Sequence, residues 1–199
     1  MSRAVFLDRD GVINQRPPEG GYITRWEDFH ILSGVTEGIA LLNRAGFSVV
    51  VITNQRCVAK GMITETDLLR MHARMTDDLA RAGAKIDATF YCPHETEPPC
   101  DCRKPAPGML LSAARLHGID LRKSWMIGDS DNDVEAGLNA GCKTARVIAI
   151  DVTSEERARI SEATIRADIT ASSLFDAIRQ IFEQEGVAID SFSTAPAAT

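Results

Sequence analysis

The sequence predicts an α/β protein in three layers, with a parallel sheet between two layers of helices, and three observations predict it. Short apolar runs rich in β-branched residues stand at 5–8, 48–53, 88–92, 125–128 and 145–150, with the length and composition of buried strands. Segments with helical spacing of apolar residues lie between them, and strands alternating with helices build a parallel sheet through crossovers. Polar clusters follow several of the runs, at the strand ends where open α/β sheets hold their ligands.

Each element has its own local reason. Val5, Phe6 and Leu7 form the first strand, and Gly11 after it lets the chain turn sharply. Residues 35–45 place Ile39, Leu41 and Leu42 at helical spacing and lead to the strand at 48–53. Residues 64–82 form a longer helix with Leu68, Met71, Met75 and Leu79 on one face, read as core. Thr64 and Asp67 make a capping box with Asp in place of Glu, and Gly83 closes the helix. The strand at 88–92 ends on Cys92. Pro107 suits the first turn of a helix at 107–118, and a further helix at 131–140 follows the strand at Trp125. After the strand at 145–150, a last helix at 173–185 carries Leu174, Phe175, Ile178, Ile181 and Phe182 on the face that packs on the sheet. The acidic run near Glu155 reads as a solvated face. Residues 191–199 are small and polar and read as a disordered tail, which leaves 1–190 as one domain. The intervals between the first three strands hold only loops and one helix each, so no separate cap domain is expected. The site is then open, edged by residues 15–22, 55–61 and 92–102.

Composition narrows the function classes. The chain has 199 residues, 44% hydrophobic and 25% charged, enough for a substantial core. A net charge of −6 without a basic block argues against an extended nucleic-acid groove or an anionic membrane surface. Ser2 and Arg3 lead straight into a strand and no apolar run approaches a membrane span, so a cytoplasmic protein is expected, acting as a monomer on a small molecule.

The polar clusters suggest phosphoryl transfer. Asp8 and Asp10 flank Arg9 where the first strand stops. Such a pair alone can be an acidic turn, but Thr53, Asn54 and Gln55 follow the second strand, Arg103 and Lys104 precede a helix, and Asp129, Ser130 and Asp133 follow the strand at Trp125. Asp8 is read as the nucleophile, forming an aspartyl-phosphate that divides a hard hydrolysis into two easier steps. Asp10 is read as the acid for the leaving oxygen and then the base for the attacking water. Asp8, Asp10 and Asp129 are the expected oxygen ligands of a Mg²⁺ that offsets the acidic cleft. Thr53 donates to a phosphoryl oxygen, Lys104 balances transition-state charge, and Arg103 offers a fork to a second anionic group. Asp133 is read as a support behind the metal ligands.

Five cysteines are present, and three crowd with a histidine into one loop: Cys92, His94, Cys100 and Cys102. Three thiolates and one imidazole close a tetrahedral Zn²⁺ shell with no position for water, a structural site that orders the loop. The competing reading, a bridge between Cys100 and Cys102, is strained and out of place in a reducing compartment. Cys57 and Cys142 read as partly buried thiols, and His30, His72 and His117 as surface residues.

These residues resemble the haloacid dehalogenase (HAD) superfamily of Mg²⁺-dependent phosphatases. Residues 6–14, Gly21 and Tyr22, Thr53 with Asn54 and Gln55, Cys92 with His94, and residues 100–105, 107–110 and 124–129 are similar to its histidinol-phosphatase-like subfamily of sugar bisphosphate and histidinol phosphatases. The resemblance covers residues 4–150 and implies a Rossmann-like fold and removal of the 7-phosphate from a heptose bisphosphate. It also implies substrate loops at Glu19, Gly20, Gly21 and Tyr22 and at Thr53, Asn54, Gln55 and Arg56, with Arg103 recognising substrate. Ser130 stands at the rim where the family often carries lysine, Arg56 and Cys57 replace small residues, and the loop before Gly21 is longer. These departures bear on substrate choice. Alternatives are a histidinol-phosphate phosphatase, a 3′-phosphatase of nucleic acid, and a non-catalytic zinc-stabilised module.

Overall fold

The computed structural model describes residues 1–18, 20–148 and 165–188. Six strands form one all-parallel sheet: β1 (Ala4–Leu7), β2 (Ser48–Asn54), β3 (Ala88–Cys92), β4 (Trp125–Gly128), β5 (Lys143–Val147) and β6 (Ile169–Ala171). The helices are α1 (Val35–Arg44), α2 (Glu65–Arg81), α3 (Gly108–His117), α4 (Asp131–Ala140) and α5 (Leu174–Glu185). The strand order is β3-β2-β1-β4-β5-β6. The chain runs outward from β1 to β3, then crosses back to lay β4 on the other side of β1. The direction of winding therefore reverses between β1 and β4, and the crevice at that switch point is where such sheets bind ligands.

Alternation along the strands sorts the core into two layers. Val5, Leu7, Val49, Val51, Trp125 and Ile127 pack with the apolar faces of α1, α2 and α5, including Ile39, Leu68, Met75, Ile178 and Phe182. Ala4, Phe6, Val50, Ile52 and Met126 point the other way, onto Leu110 and Ala113 of α3 and Ala136 of α4. Gly137 brings α4 close to the sheet, because a Cβ there would come within 2.7 Å of Met126 and Thr144.

Most elements lie where expected, with three differences. β1 ends at Leu7, so Asp8 leaves the ladder, although its N–H still donates to the Ile127 carbonyl at 2.9 Å. β5 starts two residues before the expected strand and ends at Val147, because pairing with Trp125 and Met126 recruits Lys143 and Thr144. β6 was not expected; its three residues are too short to show a period, and they become a strand by pairing with β5. Residues 149 and 150 of the expected fifth strand, the acidic run near Glu155 and the tail 191–199 lie outside the described residues. Thr64 caps α2 as expected, its Oγ1 accepting from Asp67 N–H at 3.1 Å. Among the described residues no separate cap domain interrupts the sheet, and no helix is long and apolar enough to cross a membrane.

Candidate active site

A cleft of about 360 Å³ opens over the carboxyl ends of β1, β2 and β4. Its floor is made by Asp8, Asp10, Thr53, Lys104, Asp129 and Asp133, and its mouth by Arg16 and Tyr22. Three strands and the loop before α3 thus deliver to one crevice residues that are far apart in sequence.

Asp8 is nearly buried. Its Oδ1 accepts from the Arg9 N–H at 2.7 Å and from Lys104 Nζ at 2.7 Å, which leaves Oδ2 without a partner among the described residues. Burial first, then the neighbouring charges of Asp133 and Asp129, push its pKa up to about 8 against the pull of Lys104. Lys104 has three N–H donors, and they go to Asp8 Oδ1, to Asp133 Oδ1 at 2.5 Å and to the Ile52 carbonyl at 2.8 Å. Burial opposes its charge, but Asp133 and Asp8 outweigh burial and raise its pKa, so it remains a cation. Asn54 holds the Lys104 backbone reciprocally, donating to its C=O and accepting from its N–H, both at 3.1 Å.

Asp10 is gripped more firmly than a turn residue would be. Arg9 Nη2 donates to both its oxygens at 2.9 Å and Nε to Oδ1 at 3.2 Å, Asn14 Nδ2 to Oδ1 at 2.9 Å, and Gln55 Nε2 to Oδ2 at 3.0 Å. Burial works against the charge, but Arg9 and these hydrogen bonds prevail and hold Asp10 below the usual carboxylate range. Gln55 Nε2 also donates to Thr53 Oγ1 at 2.8 Å, so the Thr53 hydroxyl keeps its own proton for an acceptor in the cleft.

The acidic group fits a hard divalent cation. Asp8, Asp129 and Asp133 offer carboxylate oxygens within 4.8 Å of one another, an all-oxygen set suited to Mg²⁺. Burial also raises Asp129, to about 6, against the pull of Arg16, and a cation here would reverse the field that disfavours these charges. The glycines give the carboxylates room. Gly11 has φ 92, and a Cβ on it would stand 1.8 Å from Asp129 Oδ2; a Cβ on Gly128 would stand 2.0 Å from Asp133 Cβ.

The sequence expectations divide on this geometry. Asp8, Thr53, Lys104 and Asp129 converge as read, and Gly20, Gly21, Tyr22, Asn54 and Ser130 line the cleft. Asp10 lines it too, but its carboxylate belongs to the clamp of Arg9, Asn14 and Gln55, and Asp133 takes the third place in the acidic group expected for Asp10. Asp133 has a further duty, since its Oδ2 accepts from Ser130 N–H at 3.0 Å and Ser130 Oγ at 2.5 Å at the start of α4. Gln55, expected to touch substrate, is 2% exposed and braces Thr53 and Asp10 from below. Arg56 and Arg103 do not line the cleft: Arg56 pairs with Glu95, and Arg103 Nη1 donates to the His94 carbonyl at 3.4 Å. Glu19 lies outside the described residues.

Three residues escaped sequence reasoning. Arg9 has no role in the sequence reading, yet it is fully buried over Phe29. His72 was expected at the surface, but it lies on the buried face of α2 with Nε2 3.1 Å from Arg9 Nη1. Its place in the period of Leu68, Met71 and Met75 is the signal that could have found it. Arg16, whose Nη2 lies 2.7 Å from Asp129 Oδ2, sits in a loop without periodicity, and no spacing marks it.

The second candidate metal group gathers the four expected side chains. Cys92, His94, Cys100 and Cys102 converge, with Sγ–Sγ separations of 3.4 and 3.6 Å and Nδ1–Sγ separations of 3.2 and 3.6 Å. These are close to the edges of a tetrahedron with metal–sulfur bonds of about 2.3 Å, so the donors fit Zn²⁺. Gly108 seats the loop on α3, since a Cβ there would lie 2.2 Å from the Asp101 carbonyl. Cys57 and Cys142 are buried thiols.

Comparison with known proteins agrees with this geometry. The HAD-hydrolase-like family profile matches residues 101–177. A Rhodopseudomonas palustris protein named D-glycero-beta-D-manno-heptose-1,7-bisphosphate 7-phosphatase is 41% identical over 156 residues, covering 75% of this chain and 85% of its own. An Escherichia coli protein of the same name is 36% identical over 191 residues, covering 92% of this chain and 95% of its own. Among solved structures, a D,D-heptose 1,7-bisphosphate phosphatase from B. bronchiseptica, complexed with magnesium and phosphate, superposes with a TM-score of 0.81 at 32% identity, covering 92% of this chain and 99% of its own.

Proposed function

The chain belongs to the D-glycero-beta-D-manno-heptose-1,7-bisphosphate 7-phosphatase family of HAD-like hydrolases, and from that premise we propose that it removes the 7-phosphate of a heptose 1,7-bisphosphate. The observation that carries the chemistry is Asp8 at the end of β1, with one carboxylate oxygen unpartnered and Lys104, Thr53 and Asp129 around it. Asp8 Oδ2 attacks phosphorus, an Oδ2–P bond forms, and the bond from phosphorus to the sugar's O7 breaks. The proton for O7 comes from Asp10, which binds one more readily once the phosphate brings negative charge beside it. Water then attacks the aspartyl-phosphate and gives a proton to Asp10. Inorganic phosphate leaves and the Asp8 carboxylate is restored. Throughout, Arg9, Asn14 and Gln55 aim Asp10, and the Thr53 hydroxyl donates to the phosphoryl oxygens. Lys104 fixes the Asp8 carboxylate and offsets the charge behind it.

Asp8 and Asp129, with Asp133 alongside, would hold a Mg²⁺, which when bound would supply charge neutralisation for the phosphoryl group. Cys92, His94, Cys100 and Cys102 would hold a Zn²⁺, which would order the loop that leads into Lys104. The reduced thiols that cage needs suit a cytoplasmic enzyme, and action as a monomer on a small phosphorylated sugar belongs to the same proposal. Arg16 at the mouth disfavours the cationic amine of histidinol phosphate, so the heptose reading is preferred to that alternative.

Phosphate release with Mg²⁺ tests the proposal. The kcat/KM for the α and β anomers of heptose 1,7-bisphosphate is compared with that for histidinol phosphate. Preference for a heptose anomer, the beta form named in the relatives being the first to try, supports the reading, and preference for histidinol phosphate overturns it. Loss of turnover in chelator, restored by Mg²⁺, checks the cation.

A further inference from the structure

We propose that His72 is a positioning residue for the reaction: its ring fixes the Arg9 guanidinium that aims Asp10 at the leaving oxygen. The inference rests on Asp10 as the acid of the proposed mechanism and adds to it a residue outside the cleft. His72 stands near the middle of α2, is 4% exposed and is not among the residues that line the cleft.

The guanidinium of the buried Arg9 is held on two edges. Nε and Nη2 donate to Asp10, and Nη1 lies 3.1 Å from His72 Nε2. A guanidinium can only donate, so Nε2 is the acceptor and the neutral ring carries its proton on Nδ1. A protonated ring would turn an N–H against Arg9. Phe29 covers the face of the guanidinium, its ring centroid 5.6 Å away, but supplies no acceptor in the plane. Among the described residues, His72 is thus the acceptor for Nη1. Without it a buried, charged donor edge is left unpaired, and rotation of the guanidinium away from Asp10 is the way to relieve that cost.

The ring is itself held in place. It shares the buried face of α2 with Leu68, Met71 and Met75, and it meets Tyr91 of β3 edge to face with centroids 5.8 Å apart. The Tyr91 hydroxyl donates to Glu65 Oε1 at 2.7 Å in the first turn of the same helix. α2 and β3 therefore brace the ring, the ring braces Arg9, and Arg9 braces Asp10. A position that served packing alone would bury an aliphatic side chain, as its neighbours do, without setting a polar ring beside a cation. Asp10 keeps Asn14 and Gln55 as further donors, so loss of His72 should misaim its carboxylate rather than release it. Aim is what proton transfer to a leaving oxygen needs, and a misplacement of about 1 Å is enough to slow it.

The test compares wild type, His72→Gln, His72→Asn and His72→Leu on two phosphate esters with Mg²⁺. One is the alkyl ester the enzyme prefers, whose oxygen must be protonated as it leaves, and the other is p-nitrophenyl phosphate, whose aryl oxide leaves without an acid. In His72→Leu, which has no acceptor, and His72→Asn, whose amide is one methylene short of Arg9, the ratio of alkyl to aryl kcat/KM should fall about ten- to hundredfold, through kcat rather than KM. In His72→Gln the amide oxygen reaches about as far as Nε2 and should restore most of the ratio. Asp10→Asn, as control, should lower the same ratio. A ratio unchanged in both His72→Leu and His72→Asn, or a loss as large in His72→Gln, would overturn the role of His72. A ratio unchanged in Asp10→Asn would overturn the acid role on which it rests. Preference for histidinol phosphate would overturn the heptose reading alone, because the comparison then runs with that ester. A second readout needs only wild type: the ¹⁵N shifts of the His72 ring, assigned by their absence from His72→Gln, should show a proton on Nδ1 and none on Nε2. The opposite tautomer would overturn the proposal.

Discussion

At the scale of single residues, the two aspartates that follow the first strand differ in what supports them. Asp8 is buried among like charges, so Asp8→Asn should abolish phosphate release while thermal stability is kept or slightly raised; full activity in that variant would sink the covalent mechanism. Asp10 is the counter-ion of a fully buried Arg9. Asp10→Asn should therefore lower kcat by about 10²- to 10⁴-fold and also cost about 3 kcal/mol of stability, read by denaturant unfolding, because it strands the guanidinium. His72 links the site to pH. Burial first, then Arg9, lower its pKa from 6.5 to about 3, so it is neutral in the fold. Between those values the unfolded chain binds the extra proton, and its contribution to stability is intact above pH 6.5 and shrinks as pH falls towards 3. The slope reaches about 1.4 kcal/mol per pH unit, and His72→Gln should flatten the loss of stability between pH 7 and pH 5 in urea titrations.

At the scale of elements, the site depends on strands that stop in the right place. Asp8 and Asp129 follow β1 and β4, which pair in register from Val5 and Trp125 to Leu7 and Ile127. That register brings the two carboxylates side by side. Gly11 is the tightest point of the arrangement, needing both positive φ and space beside Asp129. Gly11→Ala should cost about 1–3 kcal/mol and depress kcat by displacing Asp129, measured as Tm and turnover together; unchanged values would show that the turn can relax. The helix ends contribute in the same way. Asp133 was legible in sequence as an acid in the first turn of α4, but only the fold brings Lys104 against its free oxygen.

At the scale of the whole molecule, the loop that carries Cys92, His94, Cys100 and Cys102 touches both the candidate metal cage and the cleft. It begins at the end of β3, passes Glu95, which holds Arg56, and ends directly on Arg103 and Lys104. Purified protein should carry one zinc per chain by elemental analysis, and Cys100→Ser should lose it. The variant should melt several degrees lower, at about 2–4 °C per kcal/mol, with reduced kcat because Lys104 loses its anchor; an unchanged Tm in metal-free protein would remove the structural role. By itself the sequence determined the alternation of strands and helices, the choice of Asp8, Thr53 and Lys104 as candidates that the fold brings together, the grouping of Cys92, His94, Cys100 and Cys102, and the likeness to phosphatases. These are written in local periods, in ligand spacing and in polar residues at strand ends. The structure alone decided that Arg9 and His72 are buried, that Gln55 supports Asp10, that Asp133 joins Asp8 and Asp129, that Arg56 and Arg103 are engaged outside the cleft, and that Arg16 reaches Asp129. It also decided β6 and the early start of β5. The physical reason is common to all of these: each depends on a partner distant in sequence, from nine residues for Arg103 and His94 to more than a hundred for Arg16 and Asp129, and periodicity and spacing along one segment carry no information about which groups the sheet will place beside it.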